Sequence, residues 1–367
     1  MSARVGDLLE ALEREFPRAW AEPWDRTGLL VGDPDAVVAG VLVSLDPSPD
    51  ALSRAEELGA SVLVTHHPAF LEDMRPTPGA GMAGVPFAAI ARGIALVAAH
   101  TNLDRSPAGG DALPLALGLT PEVALEDGVQ PVDIMVTYVP SSHADGVRAA
   151  LASAGAGRIG MYEGCSFSGE GIGRFVATEG AEPWTGPERG AQTVAEVRVE
   201  AVCEAGTGEG VAAAVRAAHP YQEPVVMVYG GGIARGAARM GRVCTLPEPA
   251  SLRSFAASVG RGLSVSATVW GDPDRPVERV AIAPGSGRSL VAAARAAAAD
   301  VLVTGELRYH ESLDAVSAGL AVIEAGHDAT EWPLVPVLAE CVRGTSGLEG
   351  PVHVDEPHAH WWTAEGA

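Results

Sequence analysis

The sequence predicts an α/β fold of two related lobes facing one another, with an α+β domain of ferredoxin-like type inserted between them. Three observations predict it. Short Val/Leu/Ile runs at 41–45, 62–65 and 94–98, and again at 280–283, 301–304 and 320–324, alternate with stretches that suit helices. Such continuous apolar runs read as strands buried on both faces of a mostly parallel sheet. The two ends of the chain also repeat one another. L-G-A-S-V-L-V-T before His66 answers A-A-A-D-V-L-V-T before Gly305, and G-I-A-L-V-A-A-H ending at His100 answers G-L-A-V-I-E-A-G-H ending at His327. Between them, over about 131–232, the pattern changes to period-two alternation, the signature of half-buried strands.

Taken in order, the chain opens on an amphipathic helix. Leu8, Leu9, Leu12 and Phe16 recur at helical spacing among Asp7, Glu10, Glu13 and Glu15, acidic residues that a secretory or transit peptide does not carry. The first lobe spans 1–128. The inserted domain, 129–235, has alternating Val132, Ile134, Val136 and Tyr138, further strands around 197–202 and 225–229, and Ala-rich helices near 147–154 and 210–218. That spacing implies a β-α-β-β-α-β order, similar in type to ferredoxin-like domains. The second lobe spans 236–343, and the polar, Gly/Pro-punctuated remainder, 344–367, reads as a tail.

Composition excludes several kinds of chemistry. All 25 basic residues are arginine, against 47 acidic residues, for a formal net charge of −22. Without lysine there is no Schiff-base chemistry and no P-loop of the usual kind. A charge this negative, with no basic stripe, argues against nucleic acid or an anionic membrane surface as partner. Cys165, Cys203, Cys244 and Cys341 stand far apart with no C-x-x-C pair, so they read as reduced thiols. No apolar stretch approaches the ~18 residues of a membrane span. The expectation is a cytoplasmic protein.

The segments just beyond the strands are polar. In parallel sheets, ligands gather at the carboxyl ends of the strands. There the chain places Asp46, T-H-H-P (65–68), H-T-N-L-D (100–104), G-S-G-R (285–288), G-E-L-R-Y-H (305–310) and G-H-D-A-T-E (326–331). His66, His67, His100, Asp104, His327 and Glu331 form a candidate set of imidazoles and carboxylates suited to Zn, Fe, Mn or Ni in an open site. Six candidates exceed one ion's needs and a carboxylate can bridge two, so a dinuclear centre is expected. His100 and His327 each have a carboxylate four residues later, so the two lobes are expected to contribute one half-site each.

Arg288, in a Gly-rich turn at the start of a helix, and Arg308 are candidate anchors for an anionic substrate, with a plain tight βα turn as the equal alternative for G-S-G-R. His310 and Tyr309 are candidate proton donors, with a buried helical role as the alternative for His310. His219 reads as a helix-ending residue before Pro220. His353, His358 and His360 read as tail histidines.

The motifs W-D-R-T-G-L-L-V-G (24–32), V-T-H-H-P, H-T-N-L-D, C-S-F-S-G-E-G-I-G (165–173), A-H-P-Y-Q-E-P (218–224), T-G-E-L-R-Y-H and G-H-D-A-T-E-W-P occur in that order over nearly the whole chain. The sequence in this respect resembles the GTP cyclohydrolase 1 type 2 homologue, or Nif-three-like, family. That resemblance implies two metal-binding lobes around a dinuclear site, a ring-shaped homohexamer, and an inserted domain similar to PII and CutA proteins. It implies that His66 and Asp104 bind one metal, that His67 and His327 bind the other, and that Glu331 bridges them, with His100 a ligand or an outer group beside Asp104. Arg26, Asp328, the loop 69–81 and the segment 106–111 depart from the family's usual wording without touching these five positions.

Two functions are therefore expected. One is a hydrolase with two divalent metal ions per subunit, whose activated water attacks a nucleotide or related anionic small molecule. The other is a metal-binding regulatory or metal-handling protein without turnover.

Overall fold

The computed structural model describes residues 2–357 except 160–161 and 187–189. The chain divides into two compact units, Met1–Gly128 with Arg235–Ala367, and Val129–Ala234. The two predicted lobes therefore belong to one unit, each with its own sheet.

The first sheet runs Gly28–Val31, Ala95–Ala98, Val62–Thr65, Val41–Ser44, Val352–Val354. Its three central strands are parallel, with Val41 beside Val62 and Val62 beside Ala95. Every residue in them is buried, as continuous apolar runs require. Gly28–Val31 closes one edge antiparallel to Ala95–Ala98.

In the other lobe the order is Val226–Ser251, Pro276–Ser286, Val301–Glu306, Ala321–Glu324, Thr268–Trp270. Again three strands are parallel and a short antiparallel one closes the same edge. The repeat in the sequence is thus a repeat of architecture. Only the opposite edge differs: there the first sheet carries a parallel strand and the second an antiparallel one.

The two lobes exchange apolar side chains. The helix Leu334–Arg343 turns Leu334, Val335, Leu338 and Val342 into the core of the first sheet, beside Val43, Val64 and Leu8. Leu113 of the helix Pro107–Ala116 enters the core of the second, beside Ile282 and Val303. Fully burying a Val or Leu side chain contributes roughly 1.5–3 kcal/mol, so these crossings hold the lobes together. The buried Arg242 adds an ion pair to the half-buried Asp111 at 2.6 Å.

The tail expected over 344–367 is corrected for its first half. Val352–Val354 pairs with Val41–Ser44, and the buried Asp355 accepts a hydrogen bond from Ser44 at 2.9 Å and pairs with Arg54 at 3.3 Å. A three-residue strand escapes pattern reading because it needs only an edge to pair with. His353 lies in that strand, whereas His358 and His360 lie outside the described residues.

The inserted unit has the order strand, helix, strand, strand, helix, strand: Val123–Pro140, Ala144–Ser153, Phe167–Val176, Ala191–Glu204, Gly208–Ala218, Val226–Ser251. Its strands lie side by side in the sequence second, third, first, fourth. Val147 and Leu151 from one helix and Val211 and Val215 from the other pack with Met135, Val139, Val197 and Val199. The alternation of Val197 and Val199 thus puts both on the face that the helices cover. Among the described residues, no helix is long and apolar enough to cross a membrane.

Candidate metal centre

The site is built where strands end. His66 and His67 come directly after Val62–Thr65, and in continued strand geometry their side chains would diverge. The Thr65 hydroxyl donates to the His67 carbonyl at 2.6 Å, a contact two residues on that curls the backbone, and the two rings lie 5.0 Å apart. His100 lies just past Ala95–Ala98, its ring 5.2 Å from that of His66 and 5.7 Å from that of His67. His327 and Glu331 share the short helix His327–Glu331, where an i,i+4 spacing puts both on one face. The His327 ring is 5.5 Å from that of His67.

Glu331 lies at the meeting point. Its Oε1 is 3.9 Å from His66 Nε2, and its Oε2 is 2.9 Å from His67 Nε2 and 3.0 Å from His327 Nε2. Asp104 Oδ1 is 3.6 Å from His66 Nε2. His66 Nε2, Asp104 Oδ1 and Glu331 Oε2 are all buried without a hydrogen-bond partner. Three orphaned lone-pair atoms in one buried place are costly unless something else satisfies them, and a cation does so.

The outer nitrogens point to the same conclusion. His67 Nδ1 meets Asp46 Oδ1 at 2.7 Å, His100 Nδ1 meets Asp25 Oδ1 at 2.8 Å, His327 Nδ1 meets Glu306 Oε1 at 2.9 Å, and His66 Nδ1 meets the Ala99 carbonyl oxygen at 3.0 Å. Each acceptor holds a proton on Nδ1 and leaves Nε2 to face inward, the arrangement by which proteins orient metal-binding imidazoles. Two triads, His66–His67–His100 and His67–His327–Glu331, have ligand atoms close enough to hold an ion.

Electrostatics agree with that placement. Burial alone lowers the pKa of His67, but the Asp46 and Glu331 carboxylates overcome it and raise it to about 10. His327 rises to about 9, chiefly through Glu331. Burial raises the Asp104 carboxyl, and Glu331 adds to the rise. Against burial, the surrounding imidazoles hold Glu331 well below the usual range. Asp25 is also held down: burial opposes ionisation, and hydrogen bonds from His100 and Thr101 prevail. Two buried carboxylates facing one point repel unless positive charge lies between them.

Glycine makes room for this packing at two positions. Gly285 has φ +58°, and a Cβ there would lie 2.0 Å from Glu331 Oε1. At Gly305 a Cβ would lie 2.8 Å from the His327 Cα.

The structure brings together His66, His67, His100, Asp104, His327 and Glu331. The remaining candidates stand apart from these contacts. Arg288 is exposed and pairs with Glu311 at 2.9 Å, and the Arg308 backbone N–H donates to Glu311 at 3.1 Å. His310 is exposed beside Tyr309, so the alternative of a buried helical role is corrected. His219 caps the end of the helix Gly208–Ala218, its Nε2 2.9 Å from the Tyr138 carbonyl oxygen.

Asp25 and Glu306 are absent from the set predicted by the sequence, and Asp46 enters it only as a strand end. Asp46 and Glu306 stand directly at strand ends, where the rule that locates the histidines also applies. Asp25 sits in a loop and has only its place in W-D-R-T-G as a signal.

This is an α/β unit whose two lobes bring together imidazoles and carboxylates that could hold metal ions. Residues 3–354 match the family Duf34/NIF3 (NGG1p interacting factor 3), and the chain belongs to it. It is 39% identical over 362 residues to a Mycobacterium tuberculosis protein named GTP cyclohydrolase 1 type 2 homolog, covering 96% of this chain and 95% of that one. A Bacillus subtilis protein of the same name is 35% identical over 326 residues, covering 88% and 87%. Among solved structures, a Bacillus cereus protein related to NIF3 is similar at 30% identity and TM-score 0.67, covering 99% of each chain. A Staphylococcus aureus protein is similar at 25% identity and TM-score 0.74, with the same coverage.

Proposed function

We propose that this protein is a metal-dependent hydrolase with a dinuclear centre, acting on a nucleotide or related anionic small molecule. The observation that carries the proposal is the inward convergence of the His66, His67 and His327 Nε2 atoms on the Glu331 carboxylate, with every Nδ1 of the cluster tied outward. His66 and Asp104 would hold one cation and His67 and His327 the other, with Glu331 shared and His100 a further ligand or a neighbour. When bound, two divalent cations supply Lewis acidity and lower the pKa of a coordinated water. Zn, Fe, Mn and Ni all accept this donor set.

The chain's own residues prepare the site. Asp25, Asp46 and Glu306 fix the imidazole tautomers, while Gly285 and Gly305 leave room for Glu331 and His327 within the second lobe. Arg288 and Arg308 are the anchors proposed for the substrate's negative charge, drawing it in against the −22 charge of the molecule. The relatives' name makes GTP the first substrate to try. Assembly as a homohexamer and residence in the cytoplasm belong to the same proposal.

A second reading, metal binding without turnover, is favoured by one observation. Arg288 is engaged by Glu311, and His310 makes no contact with the cluster among the described residues. One experiment separates the two: metal per subunit, and turnover of GTP and a panel of nucleotides and phosphoesters, for wild type, Glu331→Gln and His327→Ala. Two metals with turnover in wild type, both reduced in the variants, supports the hydrolase. Metal loss in the variants with an unchanged residual rate leaves metal binding alone. Full metal content in both variants removes the ligand assignment.

A further inference from the structure

The inserted unit contains a cavity of ≈ 410 Å³ that owes nothing to the metal centre. This is within the usual size range of small-molecule sites. Four of the residues that line it are aromatic: Tyr138, Phe175, Trp184 and Tyr221. The Trp184 and Tyr221 rings stand 6.4 Å apart and tilted by 50°, so they form a wedge and not a closed stack. Trp184 keeps 44% of its surface exposed, and its other ring neighbour is His143, 5.5 Å away and edge-on.

Beside Tyr221 a carboxylate is held in place. The Tyr221 hydroxyl donates to Glu196 Oε1 at 2.7 Å, and Oε2 has no partner among the described residues. Glu196 lies so close over Gly173 that a Cβ at that position would be 2.2 Å from Oε2. Burial and the Glu196 charge both raise the Tyr221 pKa, so the phenol stays protonated and keeps donating. In the same lining, Gln222 Oε1 accepts the Glu182 backbone N–H at 3.0 Å, which fixes the side-chain amide.

The charge of the lining selects the ligand. Glu182, Glu196 and Glu223 line the cavity against the single Arg174. An anion would meet three carboxylates here, in a chain already strongly negative. A cation would meet aromatic faces, whose negative quadrupoles attract it, and an unpartnered carboxylate oxygen that accepts its N–H.

We propose that this cavity is a binding site for a small organic cation bearing N–H donors, of the guanidinium or alkylammonium class. Trp184 and Tyr221 flank the charged group, and Glu196 Oε2 accepts its hydrogen bond. The site is distinct from the metal centre and does not depend on the function proposed there.

The test is isothermal titration calorimetry of the full chain with agmatine, spermidine and ATP, at low and physiological salt, for wild type, Glu196→Gln and Trp184→Ala. Glu196→Gln keeps an acceptor for Tyr221 but removes the charge. Trp184→Ala keeps every charge and removes a ring. Circular dichroism and metal content check that each variant folds. The expected result is saturable binding of at least one of the two cations at physiological salt, weakened tenfold or more in both variants, with no binding of ATP. Equal binding by wild type and Trp184→Ala would mean general attraction to an acidic protein, and would overturn the proposal. So would binding of ATP alone, or no saturable binding of either cation.

Discussion

The two halves of the candidate metal centre share one backbone pattern and use it differently. Where the first lobe has His66 and His67 at the end of its middle strand, the second has Gly305 and Glu306. Where the first has Asp46 after the neighbouring strand, the second has Gly285, as the pairing of Val41 with Val62 and of Val280 with Val301 shows. His100 and Asp104 correspond to His327 and Glu331. The first lobe therefore supplies ligands and a carboxylate to orient them. The second supplies His327 and Glu331, with Glu306 to orient His327, and its glycines at 285 and 305 leave room for those two residues. The difference teaches that a two-lobed site need not be symmetrical in chemistry to be symmetrical in backbone.

The sharpest way to break the second lobe's half of the site is Gly285→Ala. The added methyl cannot coexist with Glu331 Oε1 at 2.0 Å, and the left-handed backbone costs an alanine roughly 1–2 kcal/mol. Metal affinity should fall about 100-fold or more, the upper end of what disturbing a ligand's support does, although residue 285 offers no ligand atom. Metal analysis after dialysis against a chelator reads this directly. A variant that keeps full affinity would show that Glu331 is free to move and that the packing is unimportant.

Next come the outer carboxylates, which should separate the halves. Asp25→Asn and Asp46→Asn should each lower metal affinity by about 10–100-fold, the usual effect of losing such a partner. Glu306→Gln should cost less, because its partner His327 is 42% exposed and water can replace the acceptor, whereas His67 is 21% and His100 15% exposed. Competition titration with a chromophoric chelator gives all three constants. Equal losses would remove the distinction between a shielded and an open half-site.

The sheet edges differ too. Ending the chain after Gly350 removes the parallel edge strand of the first lobe and the Asp355 contacts with Ser44 and Arg54. This should destabilise the protein by about 2 kcal/mol, from partly buried valines and one hydrogen-bonded carboxylate. Urea denaturation of the metal-free forms measures it. No loss would mean that the strand adds nothing to the sheet it extends.

The smallest effect is on protons. In the metal-free protein His67 and His327 have pKa values raised to about 10 and about 9 from 6.5. A raised imidazole pKa stabilises the folded state fully below pH 6.5, and that contribution is lost as pH rises through about 9 and about 10. Between those limits the folded protein holds protons that a metal must displace. Metal binding at about pH 7.5 should therefore release protons, and apparent affinity should rise with pH up to about 10. Calorimetry in two buffers of different ionisation heat measures the release, and heats independent of buffer would contradict it.

Much of this is legible in the residues. The six strands at the centre of the two sheets are readable because burial on both faces leaves no polar residue to interrupt Val41–Val43 or Val301–Val303. The six histidines and carboxylates of the cluster are readable because they come just after such strands or within a turn of them. Gly28–Val31, Thr268–Trp270 and Val352–Val354 are not, since three or four residues carry too little pattern and such strands form only when an edge is offered. Asp25 and Glu306 are hidden for a related reason. An outer carboxylate is defined by the imidazole it touches, and that contact lies 75 residues away for Asp25 and 21 for Glu306.

By itself, then, the sequence determined the alternation of strand and helix, the repeat, and the kinds of donor atom available, because these depend on local periodicity and side-chain chemistry. Only the tertiary structure decided which nitrogen of each histidine faces inward, which glycines must remain glycines, and that a polar remainder would complete the first sheet. Those outcomes depend on distances between residues separated in the sequence, and such distances exist only once the chain has folded.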